Sequence, residues 1–404
     1  MSTALGGKEN QTLTTMREIF LIFLRLGLTS FGGPVAHIGY FRDEFVEKRK
    51  WLDDHGYADV VALCQFLPGP ASSQVGIALG LMRGGMPGAL AAWLGFTLPS
   101  AVALVLFAFV LAHSGMGTSA AWLHGLKVIA AAVVAQAIWG MGKNLCPDKV
   151  RASVAVAASV VALATPGVIA QISVILLAAV FGVLWQSPLT DLPHSPLSLR
   201  LTRRAGMIAL VLYVTLLFGL PLCASLSGSY AIHLFDSFYR AGALVFGGGH
   251  VVLPLLQAEV VLQGWISNDA FLAGYGAAQA VPGPLFTFAA YLGAASTSSP
   301  NGWLGATIAL VGIFLPGFLL VVGTLPFWEM ARRHPRMQRA IWAVNAAVVG
   351  LLLAAFYRPV WTSSILSPAD FALAAAGFLL LVFWKVSPWK VVMGCALIAA
   401  LGWH

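Results

Sequence analysis

Of the 404 residues, 59% are hydrophobic and 9% are charged, against about 25% charged in an ordinary soluble domain. Apolar bulk on that scale is buried in lipid, so the sequence predicts an all-α polytopic membrane protein. The net charge of +8 does not mark a nucleic-acid binder. Its Lys and Arg fall in short loops between apolar runs, with no basic stripe interleaved with aromatics. The cysteines Cys64, Cys146, Cys223 and Cys395 form no CxxC pair and no Cys/His cluster, which argues against metal or redox chemistry. No GxxxxGK[ST] phosphate loop is present, so ATP hydrolysis is not expected and no cofactor is expected.

In chain order, residues 1–14 form a polar tail without the apolar core and cleavage site of a signal peptide. A first repeat is expected over 15–186. It holds two interrupted segments, 15–47 and 53–82, then four spanning helices at 88–112, 121–142, 152–166 and 168–186. Spanning takes about 20 apolar residues. A linker, 187–229, carries one unpaired helix at 206–224. A second repeat fills 230–404, with interrupted segments 230–262 and 268–298 and helices at 303–326, 340–357, 369–384 and 389–403.

The duplication is visible residue by residue. Arg25-Leu26-Gly27 precedes Phe31-Gly32-Gly33-Pro34, and Gln65-Phe66-Leu67-Pro68-Gly69-Pro70 follows. About 215 positions later, Arg240-Ala241-Gly242 precedes Phe246-Gly247-Gly248-Gly249, and Gln279-Ala280-Val281-Pro282-Gly283-Pro284 follows. Loop charge gives the relative orientation. Arg42, Lys48, Arg49 and Lys50 crowd the loop at 42–50, while 257–265 has no Lys or Arg. Conversely, 113–124 has none and its equivalent holds Arg332, Arg333, Arg336 and Arg339. Positive loops mark the cytoplasmic side, so equivalent loops face opposite ways and the repeats are expected to be inverted. The four interrupted segments then read as re-entrant hairpins, with nine full crossings, the N-terminus inside and the C-terminus outside the cytoplasmic membrane.

Such broken backbone is tolerated at membrane depth only where protein buries it or a water-filled cavity lines it. Four tips at repeat-related positions therefore predict a central site of the secondary-transporter kind. The arm after each tip starts a helix whose free N–H groups and positive dipole end attract an anion. Gly32, Gly33, Pro34, Gly69, Pro70, Gly247, Gly248, Gly249, Gly283 and Pro284 form these tips, with the prolines expected at first helical positions. Ser72, Ser73 and Thr287 place hydroxyls within a turn of them, and Gln65 and Gln279 stand three residues ahead of each Pro-Gly-Pro. His37 and His250 follow the glycine breaks, and a histidine near a pore can move protons. Arg25 and Arg240 lie in apolar segments, where an arginine is costly and its fork suits an oxyanion. The alternative is pairing with Glu18, Glu44, Asp236 or Glu259, and Glu44 and Glu259 are candidates for coupling or gating. Lys127 and Arg83 are expected at the interface rather than among ligands.

Arg25-x-Gly27-x3-Phe31-Gly32-Gly33-Pro34, Glu44, Trp51 and Gln65-Phe66-Leu67-Pro68-Gly69-Pro70 resemble the chromate ion transporter family, in its long-chain, two-domain form. The resemblance covers nearly the whole chain. It implies export of chromate, conferring chromate resistance, without enzymatic chemistry. Sulfate or another oxyanion is the alternative substrate, and a polyprenyl-phosphate enzyme a remoter one. The second half departs from the pattern at Gly249 and at Leu285-Phe286-Thr287, against symmetrical use of the tips. The expected partners are a chromate- or sulfate-like oxyanion and the lipid bilayer. The glycine-rich faces also leave room for a homodimer.

Overall fold

A computed structural model describes residues 16–30, 33–113, 121–165, 168–185, 201–245, 252–328 and 335–401. Among these the chain is helical throughout, with no strand. The first half runs α1 (Met16–Thr29), α2 (Gly33–Arg42, continuing as a wider turn through Asp43–Lys48), α3 (Asp54–Phe66), α4 (Ala71–His113), α5 (Ala121–Leu145), α6 (Lys149–Ala164) and α7 (Val168–Leu184). After α8 (Arg203–Ser227) come α9 (Tyr230–Ala243), α10 (Val252–Val260), α11 (Asn268–Ala280), α12 (Phe288–Ala295), α13 (Gly302–Thr324), α14 (Pro335–Ala355), α15 (Pro368–Val382) and α16 (Pro388–Ala400).

In α1, Ile19, Ile22, Phe23 and Leu26 fall on one face and are buried; that spacing is the stripe of an amphipathic helix. The stripe packs along the later part of α4. Gly27 permits the approach, because a Cβ there would lie 2.7 Å from the Phe96 carbonyl oxygen. In the second half, α9 packs along α13 in the same way, and a Cβ on Gly242 would lie 2.1 Å from the Ile313 carbonyl oxygen.

Helix α4 is two helices in one run. Gly85 has non-helical backbone (φ 64, ψ −158), and a Cβ on Gly80 would lie 2.4 Å from the Gly88 carbonyl. Along a straight helix those residues would stand about 12 Å apart. The arms 71–84 and 86–113 therefore fold back on one another. Gly293 of α12 meets Gly305 of α13 in the same manner, at 2.2 Å.

The last helices of the two halves are exchanged. Helix α14 packs on α6 and α7, and α5 packs on α15 and α16. Five helical stretches are long and apolar enough to span: Ala71–His113, His124–Lys143, Arg203–Ser227, Gly302–Phe327 and Gln338–Arg358. Four crossings expected from sequence fall on the shorter helices α6, α7, α15 and α16, of 16, 17, 15 and 13 residues. At 1.5 Å per residue these reach about 20–26 Å, less than the roughly 30 Å hydrocarbon core. Helix α8 leans on α9 and α13 and exposes Ile208, Phe218, Leu222 and Leu226, an outward face suited to lipid. With these apolar helices, the chain is an all-α multi-pass membrane protein.

Candidate functional site at two clasped helix tips

The two Pro-Gly-Pro turns sit inside the protein. Before the first, Leu67 is extended (φ −82, ψ 146) and Gly69 takes φ +123. Before the second, Val281 is extended (φ −90, ψ 146) and Gly283 takes φ +98. Such φ values are accessible to glycine and strained for other residues. Space is equally restrictive, since a Cβ on Gly283 would lie 2.9 Å from Ser100 Oγ, and one on Gly69 would lie 3.3 Å from Gly317 Cα.

Each glycine donates its backbone N–H into the opposite half of the chain. Gly69 N–H bonds the Val245 carbonyl at 2.6 Å, and Gly283 N–H bonds the Ser30 carbonyl at 2.9 Å. Ser30 and Val245 are themselves equivalent, each preceding a Phe-Gly-Gly break. The two bonds thus form a reciprocal clasp. Pro70 and Pro284 stand one position earlier than the sequence suggested. Pro70 caps α4 by accepting from Gln74 N–H at 2.9 Å, and Pro284 (φ −74, ψ 131) precedes a tight turn at Leu285–Thr287. A cap carbonyl already receives the first helical bond, so the N–H groups of Ala71, Ser72 and Ser73 are left over at the tip.

Polar side chains gather on the first tip. His37 Nε2 lies 3.2 Å from the Ser30 carbonyl and Nδ1 lies 3.3 Å from Ser72 Oγ. A carbonyl only accepts, so neutral His37 carries its proton on Nε2, donates it to Ser30, and accepts a hydrogen bond from the Ser72 hydroxyl on Nδ1. The ring also sits edge-on to Phe96, 5.2 Å between centroids. Gln74 is fully buried. Its Nε2 donates to the Pro68 carbonyl at 2.8 Å, whereas its Oε1 has no partner. Ser30 Oγ, Ser73 Oγ, Thr97 Oγ1 and Gln279 Nε2 are likewise buried and without partners. Unpaired buried polar atoms are rare and costly; these five belong to residues in or near the two tips, while others, on Trp93, Arg339, Asn345 and Ser364, lie elsewhere among the described residues.

The second tip differs. The hydroxyl of Thr287 donates to the Pro284 carbonyl at 2.7 Å, so it is already used within the turn, and Leu285 and Phe286 are buried beside it. Gln65 is exposed. Gly33 takes φ +76 with open space where a Cβ would be, and Pro34 is half-buried. Gly32, Gly247, Gly248, Gly249 and His250 lie outside the described residues.

The equivalent arginines have unlike surroundings. Arg240 is held by Asp236 at 3.1 Å and by Glu259 at 2.9 Å, and both carboxylates are nearly inaccessible. Arg25 is exposed and makes no ion pair among the described residues. Glu44, the counterpart of Glu259, bonds Arg49 at 2.7 Å and lies 3.7 Å from Lys48. Lys127, expected at the interface, is instead buried at 7% exposure and pairs with Asp269 at 3.0 Å, tying α5 to α11. Gln74, Thr97 and Ser30 were not anticipated as polar members of the site. Each resembles ordinary helix filler, and only adjacency to a tip motif could have flagged Gln74. Among the described residues no group of three or more His, Cys, Asp or Glu could hold a metal.

Fold and tips together define a multi-pass membrane protein built on an internal duplication, with polar groups enclosed where its halves meet. The family model described as chromate transporter matches the chain twice, over residues 17–183 and 232–400. The chain belongs to the chromate transporter family. It is 26% identical over its whole length to a chromate transport protein of Cupriavidus metallidurans, covering 97% of that protein. It is 28% identical over 91% of its length to a chromate transport protein of Pseudomonas aeruginosa, covering 87% of it. An uncharacterized transporter of Bacillus subtilis, YwrA, is 34% identical over 30% of this chain and 68% of its own. No solved structure matches the chain significantly.

Proposed function

We propose that the protein is a secondary transporter that exports chromate across the cytoplasmic membrane and so confers chromate resistance. The observation that carries this is the set of unpartnered buried polar atoms, Ser30 Oγ, Ser73 Oγ, Gln74 Oε1, Thr97 Oγ1 and Gln279 Nε2, gathered about two clasped helix tips. A tetrahedral oxyanion offers such groups the partners they lack. The N–H groups of residues 71–73 and the positive end of α4 supply attraction without a fixed metal. In this reading the halves are inverted copies, the N-terminus is cytoplasmic, and one half rocks against the other to expose the site alternately. Exposed Arg25 recruits the anion, while Arg240 stays engaged with its two carboxylates until the site rearranges. His37 and the Gly283 N–H of the other half converge on the Ser30 carbonyl, which ties the ring to the joint between the halves.

The energetics favour this direction. A membrane potential negative inside acts at about 2.3 kcal/mol per charge per 100 mV, so it assists the exit of a singly charged oxyanion by roughly 2.3 kcal/mol and of a doubly charged one by roughly 4.6 kcal/mol. The family of the chain and the transport names of its relatives agree with an oxyanion cargo and a non-enzymatic role. The test is chromate flux in proteoliposomes, with potential, proton gradient and trans-sulfate varied separately. Flux above protein-free vesicles, lost at least tenfold in Arg25→Ala, is the expected result. Absence of flux under every gradient would overturn the reading.

A further inference from the structure

We propose that Gln74 makes the site selective for an oxyanion that still carries a proton, hydrogen chromate rather than a fully deprotonated dianion of the same shape. This rests on the site reading above. The orientation of the Gln74 amide is fixed by chemistry. The Pro68 carbonyl can only accept, so the atom 2.8 Å from it is the Nε2 donor. The other atom is therefore Oε1, an acceptor without a donor, in a side chain at 0% exposure.

Ser73, at 2% exposure, presents a second unpartnered oxygen one residue earlier. The two oxygens differ in what they can do. A serine hydroxyl rotates to donate or accept, so Ser73 is indifferent to the protonation of its ligand. Gln74 Oε1 cannot donate. Facing a bare oxyanion oxygen it sets lone pair against lone pair; facing an X–OH group it receives a hydrogen bond. The rest of the tip favours negative charge, through the N–H groups at the start of α4 and the absence of any Asp or Glu in α12 and α13. The site therefore attracts an anion and then sorts anions by whether one oxygen bears hydrogen. Sulfate and selenate are conjugate bases of strong acids and carry no proton near neutral pH. Phosphate and arsenate carry one or two, and chromate is partly protonated in the mildly acidic range. All five are tetrahedral, so size alone does not separate them.

The experiment is chromate flux into proteoliposomes holding the full chain, at one fixed pH just below neutral, with phosphate, arsenate, sulfate or selenate as competitor. A hydrogen bond to a charged ligand separates partners by about tenfold to a hundredfold. In the wild type, phosphate and arsenate should inhibit at concentrations at least about tenfold lower than sulfate and selenate. Gln74→Met, which removes the acceptor at similar volume, should bring the four inhibitors within about twofold of each other. Equal inhibition by all four in a wild type that transports chromate would overturn the inference while leaving the transport reading intact. A wild type without chromate flux would instead remove the reading on which it rests. The wild-type series stands by itself if Gln74→Met does not fold.

Discussion

Arg240 and Arg25 occupy equivalent positions in unlike company, and alanine at each should separate structural from transport roles. Arg240→Ala removes the cation between Asp236 and Glu259, whose side chains are 5% and 6% exposed. Stranding a buried charge in this way costs about 3–5 kcal/mol. The arginine itself is 24% exposed, which places the cost toward the lower end. At about 2 cal/mol/K per residue over 404 residues, a 3–5 kcal/mol loss lowers the melting temperature by about 4–6 °C. Arg25 makes no ion pair among the described residues and attracts Glu44 only at longer range, behind Arg49 and Lys48, so Arg25→Ala should stay within about 0.5 kcal/mol of wild type. The assay is thermal unfolding of detergent-purified protein, followed by size exclusion, beside chromate flux for each variant. The expected pattern is a less stable Arg240→Ala and a stable, transport-defective Arg25→Ala. Equal melting temperatures for the two variants would refute the assignment.

Two further pairs of substitutions test packing and charge. Gly242→Ala places a Cβ 2.1 Å from the Ile313 carbonyl and should destabilise by about 1–3 kcal/mol; Gly394→Ala, with nothing within 4 Å, should be neutral or gain about 0.5–1 kcal/mol. Thermal unfolding of the two variants side by side reads the contrast. Asp269→Asn leaves Lys127, 9% exposed, without its counter-ion, whereas Lys127→Met leaves Asp269 at 48% exposure and still in reach of water. The first should therefore cost about 2–4 kcal/mol and the second under about 1 kcal/mol. The reverse order would mean that this ion pair faces water on the lysine side.

Much of the architecture was legible because glycine and proline at matched spacing leave little freedom to the backbone. Gly69 and Gly283 are required by positive φ and by close approach, and the same tripeptide announces both. Hydrophobic run length was a poorer guide. It marked α6, α7, α15 and α16 as crossings, on runs already shorter than the roughly 20 residues a bilayer asks for, but could not register that they pack as pairs on the opposite half. For the candidate site, sequence marked the two Pro-Gly-Pro turns but not the partners of the side chains around them. Sequence placed Arg25 and Arg240 in one role, although Leu21 stands where Asp236 does, because spacing does not reveal that Asp236 and Glu259 both close on Arg240. Nor could it reveal that Glu44 turns to Arg49. Lys127 and Asp269 are 142 residues apart, so nothing local advertises their contact. Thr287 seemed as available as Ser73, yet the tight turn at Leu285 returns its hydroxyl to Pro284.

Holding both copies in one polypeptide has a consequence for how they diverge. Were the two tips supplied by identical chains, every change at one would be imposed on the other. Fused in tandem, each copy drifts alone: Ser72, Ser73 and Gln74 stand on one side, Phe286 and a self-satisfied Thr287 on the other. The reciprocal clasp keeps the backbone geometry of a matched pair while the side chains around its two turns diverge, polar on one and largely apolar on the other.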